Sequence, residues 1–233
     1  MAAINSISSP SHSDFRNATR IQQAITAPME RKVLAWLAAR TPGSISPDHL
    51  TALGFVAQIL AGAAYALSRW NKYFLMLATF FIAMNWLGDS LDGTLARYRN
   101  RLRPRYGFYV DHMTDTFGGV FLMSGLATSG FLHWQIAIGM LVGFLVLSVE
   151  SYLTTYTVGK FRMSYALFGP TEIRILLMIG NVALIFRPYA HLAGHKFLLF
   201  DVGGSIAILG MTMMAVVATG IHTAQLYQEE RLP

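Results

Sequence analysis

Four carboxylates stand in stretches of sequence that are otherwise strongly apolar: Asp89, Asp92, Asp111 and Asp115. Asp89 and Asp92 are three residues apart and Asp111 and Asp115 four, so on helices each pair occupies one face. Within a bilayer each carboxylate costs up to about 2.5 to 3.5 kcal/mol, and something must offset that cost. Like charges brought together raise one another's pKa, so such a cluster does not stay fully ionised without counter-charge. Divalent cations supply it. Oxygen-only ligands favour magnesium, manganese or calcium over zinc, and a pair of cations can clamp a phosphoryl group during in-line displacement.

The elements that carry these acids are set by composition. The 233 residues are 54% hydrophobic and 13% charged, against about 25% charged in an ordinary soluble domain. That excludes disorder and argues against a water-soluble globule. Cysteine is absent, which removes disulfides, thiolate nucleophiles and iron–sulfur or zinc–cysteine sites. With roughly 20 apolar residues needed per crossing, the expectation is an all-α membrane protein with six spans, near 50–68, 73–96, 107–129, 132–157, 171–187 and 202–226. Residues 1–27 form a polar, Ser-rich segment without the apolar core of a signal peptide. From Pro28 to Arg40, Met29, Val33, Leu34, Trp36 and Leu37 recur at helical spacing beside Glu30, Arg31, Lys32 and Arg40. This reads either as an amphipathic helix in the membrane interface or as an ordinary packing helix. No repeat or internal boundary divides residues 28–233, which are read as one membrane domain.

Basic residues test the span count. Of the 18 Lys and Arg residues, 14 fall in the N-terminal segment, residues 97–105, residues 158–174 and the C-terminal tail; Arg69, Lys72, Arg187 and Lys196 fall on the other face. By the positive-inside rule both termini are cytoplasmic. The net charge of +6 then needs no nucleic acid as partner. The connection between the second and third spans runs only from about Tyr98 to Tyr106, so the two helices form an antiparallel hairpin. Pairing about residue 102 sets Asp92 opposite Asp111 and Asp89 opposite Asp115, in one pocket opening to the cytoplasm. Gly88, Gly93, Gly107, Gly118 and Gly119 leave room for helix contact and for phosphate.

The segment Asp89-Ser-Leu-Asp92-Gly93-Thr-Leu-Ala96-Arg97, nine residues, then Gly107-Phe-Tyr-Val-Asp111-His-Met-Thr-Asp115 resembles the signature of the CDP-alcohol phosphotransferases, with all eight signature residues present. Its central gap is one residue longer than is common in that family. Upstream, Pro47-Asp48-His49-Leu50-Thr51 resembles a nucleotide-binding Pro-Asn-x-x-Thr segment with Asp48 in place of Asn. The resemblance implies a phosphoalcohol group moved from a CDP-linked donor to an acceptor hydroxyl, with release of CMP. It also implies two divalent cations, magnesium or manganese, held by Asp89, Asp92, Asp111 and Asp115, with Asp115 also taking the acceptor's proton. Gly93, Ala96, Gly107, Arg97 and Thr51 would accommodate the nucleotide and diphosphate. A homodimer is implied in the same way.

The acceptor is less legible. A CDP-diacylglycerol donor with a small water-soluble acceptor and a choline- or ethanolamine-type donor with a lipid acceptor use the same metal site; the first is preferred. Arg99, Arg101, Arg103 and Arg105 line the mouth, either for anionic lipid or a phosphorylated acceptor, or for topology alone. Arg174 and Arg105 are assigned to an acceptor phosphate. Glu150, inside the fourth span, binds an amine head group or makes a structural hydrogen bond. His112 is read either as packing beside Asp111 or as a support for that ligand from behind, and His191, His195 and His222 form no convincing metal set. A cation- or proton-coupled transporter also places acids between helices, but the grouping of these four at one depth does not extend a path across the membrane.

Overall fold

The computed structural model describes residues 19–21, 26–162, 169–192 and 194–231. The expected polar segment 1–27 lies almost wholly outside the described residues. Seven helices run in chain order: α1 (Ala27–Arg40), α2 (Pro47–Leu67), α3 (Phe74–Tyr98), α4 (Pro104–Thr128), α5 (Trp134–Thr157), α6 (Pro170–Phe186) and α7 (Leu199–Glu229). Among the described residues extended structure is confined to four short strands. β1 (Thr19–Ile21) pairs in parallel with β2 (Lys160–Arg162), and β3 (Tyr189–Leu192) with β4 (His195–Leu198) as a hairpin between α6 and α7. The all-helical expectation therefore holds apart from these fragments.

Helix ends follow local chemistry. Ser46 caps α2 by accepting from the His49 N–H, while the His49 ring accepts from the Ser46 N–H, a reciprocal capping box followed by Pro47 in the first turn. α3 stops at Asn100, whose φ is +51°. The Arg101 N–H reaches the Ala96 carbonyl at 2.9 Å and the Asn100 N–H that of Arg97 at 3.1 Å, the pattern of a Schellman motif. Pro104 restarts the chain as α4.

The bundle is apolar on its outside. Val142, Val146, Leu209 and Val216 are 50% or more exposed, whereas Asn85, Glu150, Glu172 and Asn181 are buried. α2, α3, α5 and α7 are each long and apolar enough to cross a bilayer, and the protein is an integral membrane protein. The two remaining helices of the expected six differ for clear reasons. α4 has 25 residues but is diluted by Arg105, Asp111 and Asp115, and α6 has only 17.

α2 is the organising element, packing on both α3 and α4, while the backbones of α3 and α4 come close at few points. Two glycine pairs set these contacts. A Cβ on Gly88 would lie 2.6 Å from the Gly54 nitrogen, and one on Gly125 would lie 2.0 Å from the Gly62 carbonyl oxygen, so only hydrogen fits at either crossing. The expected α3–α4 hairpin is thus a hairpin in sequence but not a packed pair: α2 holds the two helices apart and leaves space between their acid-bearing faces.

The main core gathers Ala61, Tyr65, Leu75, Ile82, Leu126 and Leu184 from α2, α3, α4 and α6. Within it the Tyr65 hydroxyl donates to Asn181 at 2.8 Å, and Asn181 donates to Thr79 at 3.1 Å, joining three helices through satisfied polar groups. A second cluster seats Leu34 and Ala38 of α1 on Leu50, Leu91 and Leu95. One residue of α1 departs from the amphipathic reading. Glu30, expected on the polar side, is buried, while Met29, Val33 and Trp36 are exposed.

Candidate active site

Oxygens of Asp89, Asp111 and Asp115 all lie within 4.8 Å of one another. Carboxylates from α3 and α4 therefore meet across the gap that α2 holds open. The side chains of Asp89 and Asp111 keep 23% and 37% of their surface accessible, enough for a ligand to enter. Asp92, one turn from Asp89, is engaged differently. One of its oxygens accepts from the Thr51 hydroxyl of α2 at 2.5 Å, and the other from the Gly93 N–H. Three of the four expected acids thus form the tight group, and the fourth stands at its edge, oriented by Thr51.

Arg174 of α6 completes the site, donating to Asp89 at 2.7 Å with 13% of its side chain exposed. Beneath the acids a small cavity is lined by Thr51, Gly54, Phe55, Gln58, Asn85, Thr114, Asp89 and Asp115. Asn85 donates to the Gly54 carbonyl at 3.0 Å and to Gln58 at 3.3 Å. Gln58 and Asn85 were not singled out from sequence. The available signal was a lone amide inside each of two apolar spans, where a polar group needs a partner.

The remaining expected residues distribute around this centre. A Cβ on Gly107 would meet nothing within 4 Å, and one on Gly93 only the Arg97 guanidinium at 3.7 Å, so both leave open space. Ala96 is buried. Arg97 is exposed and donates to Thr94 at 3.1 Å; Arg105 is exposed in the first turn of α4. Two other arginines of the connection serve the fold. Arg99 donates to the carbonyls of Ile45, Thr41 and Pro42, and Arg103 pairs with Asp48. Glu150 accepts from Thr154 at 2.9 Å and contacts His222 Nδ1 at 2.5 Å, which ties α5 to α7. The His112 ring stacks on Phe108 at 4.1 Å and meets Tyr152 edge-on at 4.7 Å, and its Nδ1 lies 3.5 Å from an Asp111 oxygen, so it both packs and adjoins the acid.

Comparison with known proteins bears directly on this arrangement. Residues 44–221 match the CDP-alcohol phosphatidyltransferase family, a stretch that includes every aspartate above together with Thr51 and Arg174. The chain belongs to the CDP-alcohol phosphatidyltransferase family. It is accordingly a membrane-embedded transferase of phospholipid synthesis. Among relatives of this CDP-alcohol phosphatidyltransferase, the archaetidylinositol phosphate synthase of Pyrococcus horikoshii is 28% identical over 170 residues, covering 72% of this chain and 79% of that protein. An uncharacterized protein of Aquifex aeolicus is 26% identical over 147 residues, 60% of this chain and 70% of that one. The fold is shared with the phosphatidylinositol phosphate synthase of Mycobacterium tuberculosis, solved with CDP-DAG bound, at a TM-score of 0.53 and 18% identity, covering 90% of this chain and 98% of the other.

The donor set fits divalent cations. Among the described residues three carboxylates from two helices converge with no His or Cys in the group, the all-oxygen chemistry that magnesium and manganese prefer.

Proposed function

We propose that this enzyme transfers a phosphatidyl group from CDP-diacylglycerol to the hydroxyl of a small phosphorylated polyol, releasing CMP. The observation that carries this reading is the convergence of Asp89, Asp111 and Asp115 beside a buried guanidinium, that of Arg174. Acids alone serve a diphosphate through cations, whereas an arginine among them adds a planar fork suited to a second phosphate. The name of the Pyrococcus relative, an inositol phosphate synthase, agrees with an acceptor of that class.

In this reading Asp89, Asp92, Asp111 and Asp115 hold two divalent cations, magnesium or manganese. Cations held by these residues would supply charge stabilisation to the diphosphate. The acceptor oxygen forms a bond to the lipid-side phosphorus while the bridging P–O bond breaks, so that CMP departs with the bridging oxygen. Asp115 receives the acceptor's proton. Thr51 orients Asp92 through its hydrogen bond. Gly93 and Gly107 leave room for the nucleotide, Ala96 adds a small side chain to the same wall, and Arg97 faces the diphosphate. Arg174 holds the acceptor phosphate with donors beyond the one given to Asp89, with Arg105 at the mouth.

All six long helices, α4 and α6 included, cross the membrane, with both termini and the site's mouth cytoplasmic. α1 lies in the interface, and residues 28–233 act as one membrane domain. The fourteen basic residues on one face support this orientation. The functional unit is a homodimer.

The test is to incubate purified protein with CDP-diacylglycerol and radiolabelled inositol phosphate, glycerol phosphate or serine, and to follow CMP. CMP release that requires a phosphorylated polyol, stops with EDTA and returns with magnesium is the expected result. Turnover with serine alone would reject the acceptor class. Ion flux without CMP would favour a transporter.

A further inference from the structure

Glu30 lies on α1, outside the site, and the chemistry above makes no use of it. Its neighbours Arg31 and Lys32 are exposed, yet Glu30 is only 8% exposed. A carboxylate taken out of water is costly unless its oxygens are well supplied with donors. Here a single oxygen, Oε1, accepts from three groups: Trp86 Nε1 at 2.9 Å, the Ser90 hydroxyl at 3.2 Å and the Thr171 hydroxyl at 2.8 Å.

The positions of these donors are informative. Trp86 and Ser90 are one turn apart on α3, and Ser90 adjoins Asp89. Thr171 lies in the first turn of α6, one turn before Arg174. The α3–α6 contact is therefore bridged twice at the same level, by the Asp89–Arg174 pair and by Glu30 gripping a hydroxyl from each helix. A second acid reinforces the arrangement. Glu172 accepts from both the N–H and the hydroxyl of Thr26, at 2.9 and 2.6 Å, and from the Gly169 N–H at 2.9 Å, so the starts of α1 and α6 are tied together. Apolar packing by Leu34 and Ala38 would seat α1 without an acid at position 30.

We infer that Glu30 is a positioning residue, which fixes the spacing and register of α3 and α6 and so delivers the Arg174 guanidinium to Asp89. This rests on the reading that Asp89 and Arg174 belong to the reaction centre.

The test compares full-length wild type, Glu30→Ala and Glu30→Gln in nanodiscs. Glu30→Ala is expected to lower kcat about 10- to 100-fold, the scale of a small displacement of a reacting group, with donor KM little changed. Glu30→Gln keeps an oxygen for the three donors and recovers most of the rate. Because Glu30 acts through Arg174, the double variant Glu30→Ala/Arg174→Ala is expected to be no slower than Arg174→Ala alone. Wild-type kcat in Glu30→Ala, or the same slowing in both backgrounds, overturns the proposal. If Glu30→Ala does not fold, Ser90→Ala and Thr171→Val each remove one tether, and full activity in both is equally decisive against it.

A structural readout separates this inference from the functional reading. The chain has no cysteine, so spin labels at Tyr98→Cys and Ile173→Cys, both at exposed positions, report the α3–α6 distance alone. A narrow distribution with Glu30 or Gln that broadens with Ala is expected. An unchanged distribution sinks the positioning role, whereas wild type that releases no CMP with any acceptor, while the distribution still broadens, sinks only the functional reading.

Discussion

Arg174 on α6 donates to Asp89 on α3 at 2.7 Å, and both side chains are mostly buried. The pair places a fixed positive charge against three converging carboxylates. Removing one member of a buried pair strands the other, at a cost of about 3 to 5 kcal/mol. Arg174→Ala is therefore expected to lower the melting temperature. Magnesium should raise that temperature further in the variant than in wild type, because bound cations replace the missing charge. Equal magnesium shifts in the two proteins would count against Arg174 as counter-charge.

The acids differ in their surroundings, and their variants should differ too. Asp115→Asn is expected to abolish turnover while retaining magnesium-dependent nucleotide binding, as befits the group that takes the proton. Asp92→Asn should shift the magnesium titration of activity to higher concentration. Near-normal turnover in the first, or an unmoved titration in the second, contradicts the respective role.

Thr51 donates to Asp92 across the α2–α3 contact. Thr51→Val keeps the shape and deletes the donor, a change of about 1 kcal/mol for one hydrogen bond. An increase of roughly 5-fold in the nucleotide dissociation constant is expected, measured by calorimetry with CDP and magnesium. No change would show that Asp92 orients itself.

Two glycines of α4 make opposite predictions. Gly125→Ala places a carbon 2.0 Å from the Gly62 carbonyl and should destabilise the fold by about 1 to 3 kcal/mol or prevent folding, seen as loss of monodisperse protein. Gly107→Ala meets nothing. It should leave the melting temperature unchanged or slightly higher, while raising the donor KM if the nucleotide occupies that space.

Glu150 and His222 join α5 to α7 through a contact of 2.5 Å. Glu150→Ala is expected to lower thermal stability without moving the KM of any acceptor. A rise in acceptor KM at unchanged stability would return Glu150 to the binding site.

Much of the site was legible because its residues obey strong rules. Acids in apolar segments must be compensated, and their spacing of three and four puts them on helix faces, so Asp89, Asp111 and Asp115 could be brought together on paper. The spans expected from 50 and 107 begin a few residues earlier, at Pro47 and Pro104. What could not be read was which helix stands between which. Pairing α3 with α4 as a close hairpin follows from a short connection, yet the Gly54–Gly88 and Gly62–Gly125 crossings insert α2 against both.

The same limit explains Glu30 and Arg174. By sequence Glu30 sits among Arg31 and Lys32 on the wet side of an amphipathic helix, and Arg174 is assigned to an acceptor phosphate with none of the four aspartates named as its partner. Their partners, Trp86, Ser90 and Thr171 for one and Asp89 for the other, lie between 56 and 141 residues away. The amino-acid sequence by itself determined the helices, the apolar exterior and the acids that must be offset, because these depend on local spacing and on the cost of charge in lipid. Only the tertiary structure decided that Asp92 stands at the edge of the group, held by Thr51, and that Arg174 meets Asp89, because those contacts depend on how closely backbones approach at a few glycines far apart in the chain.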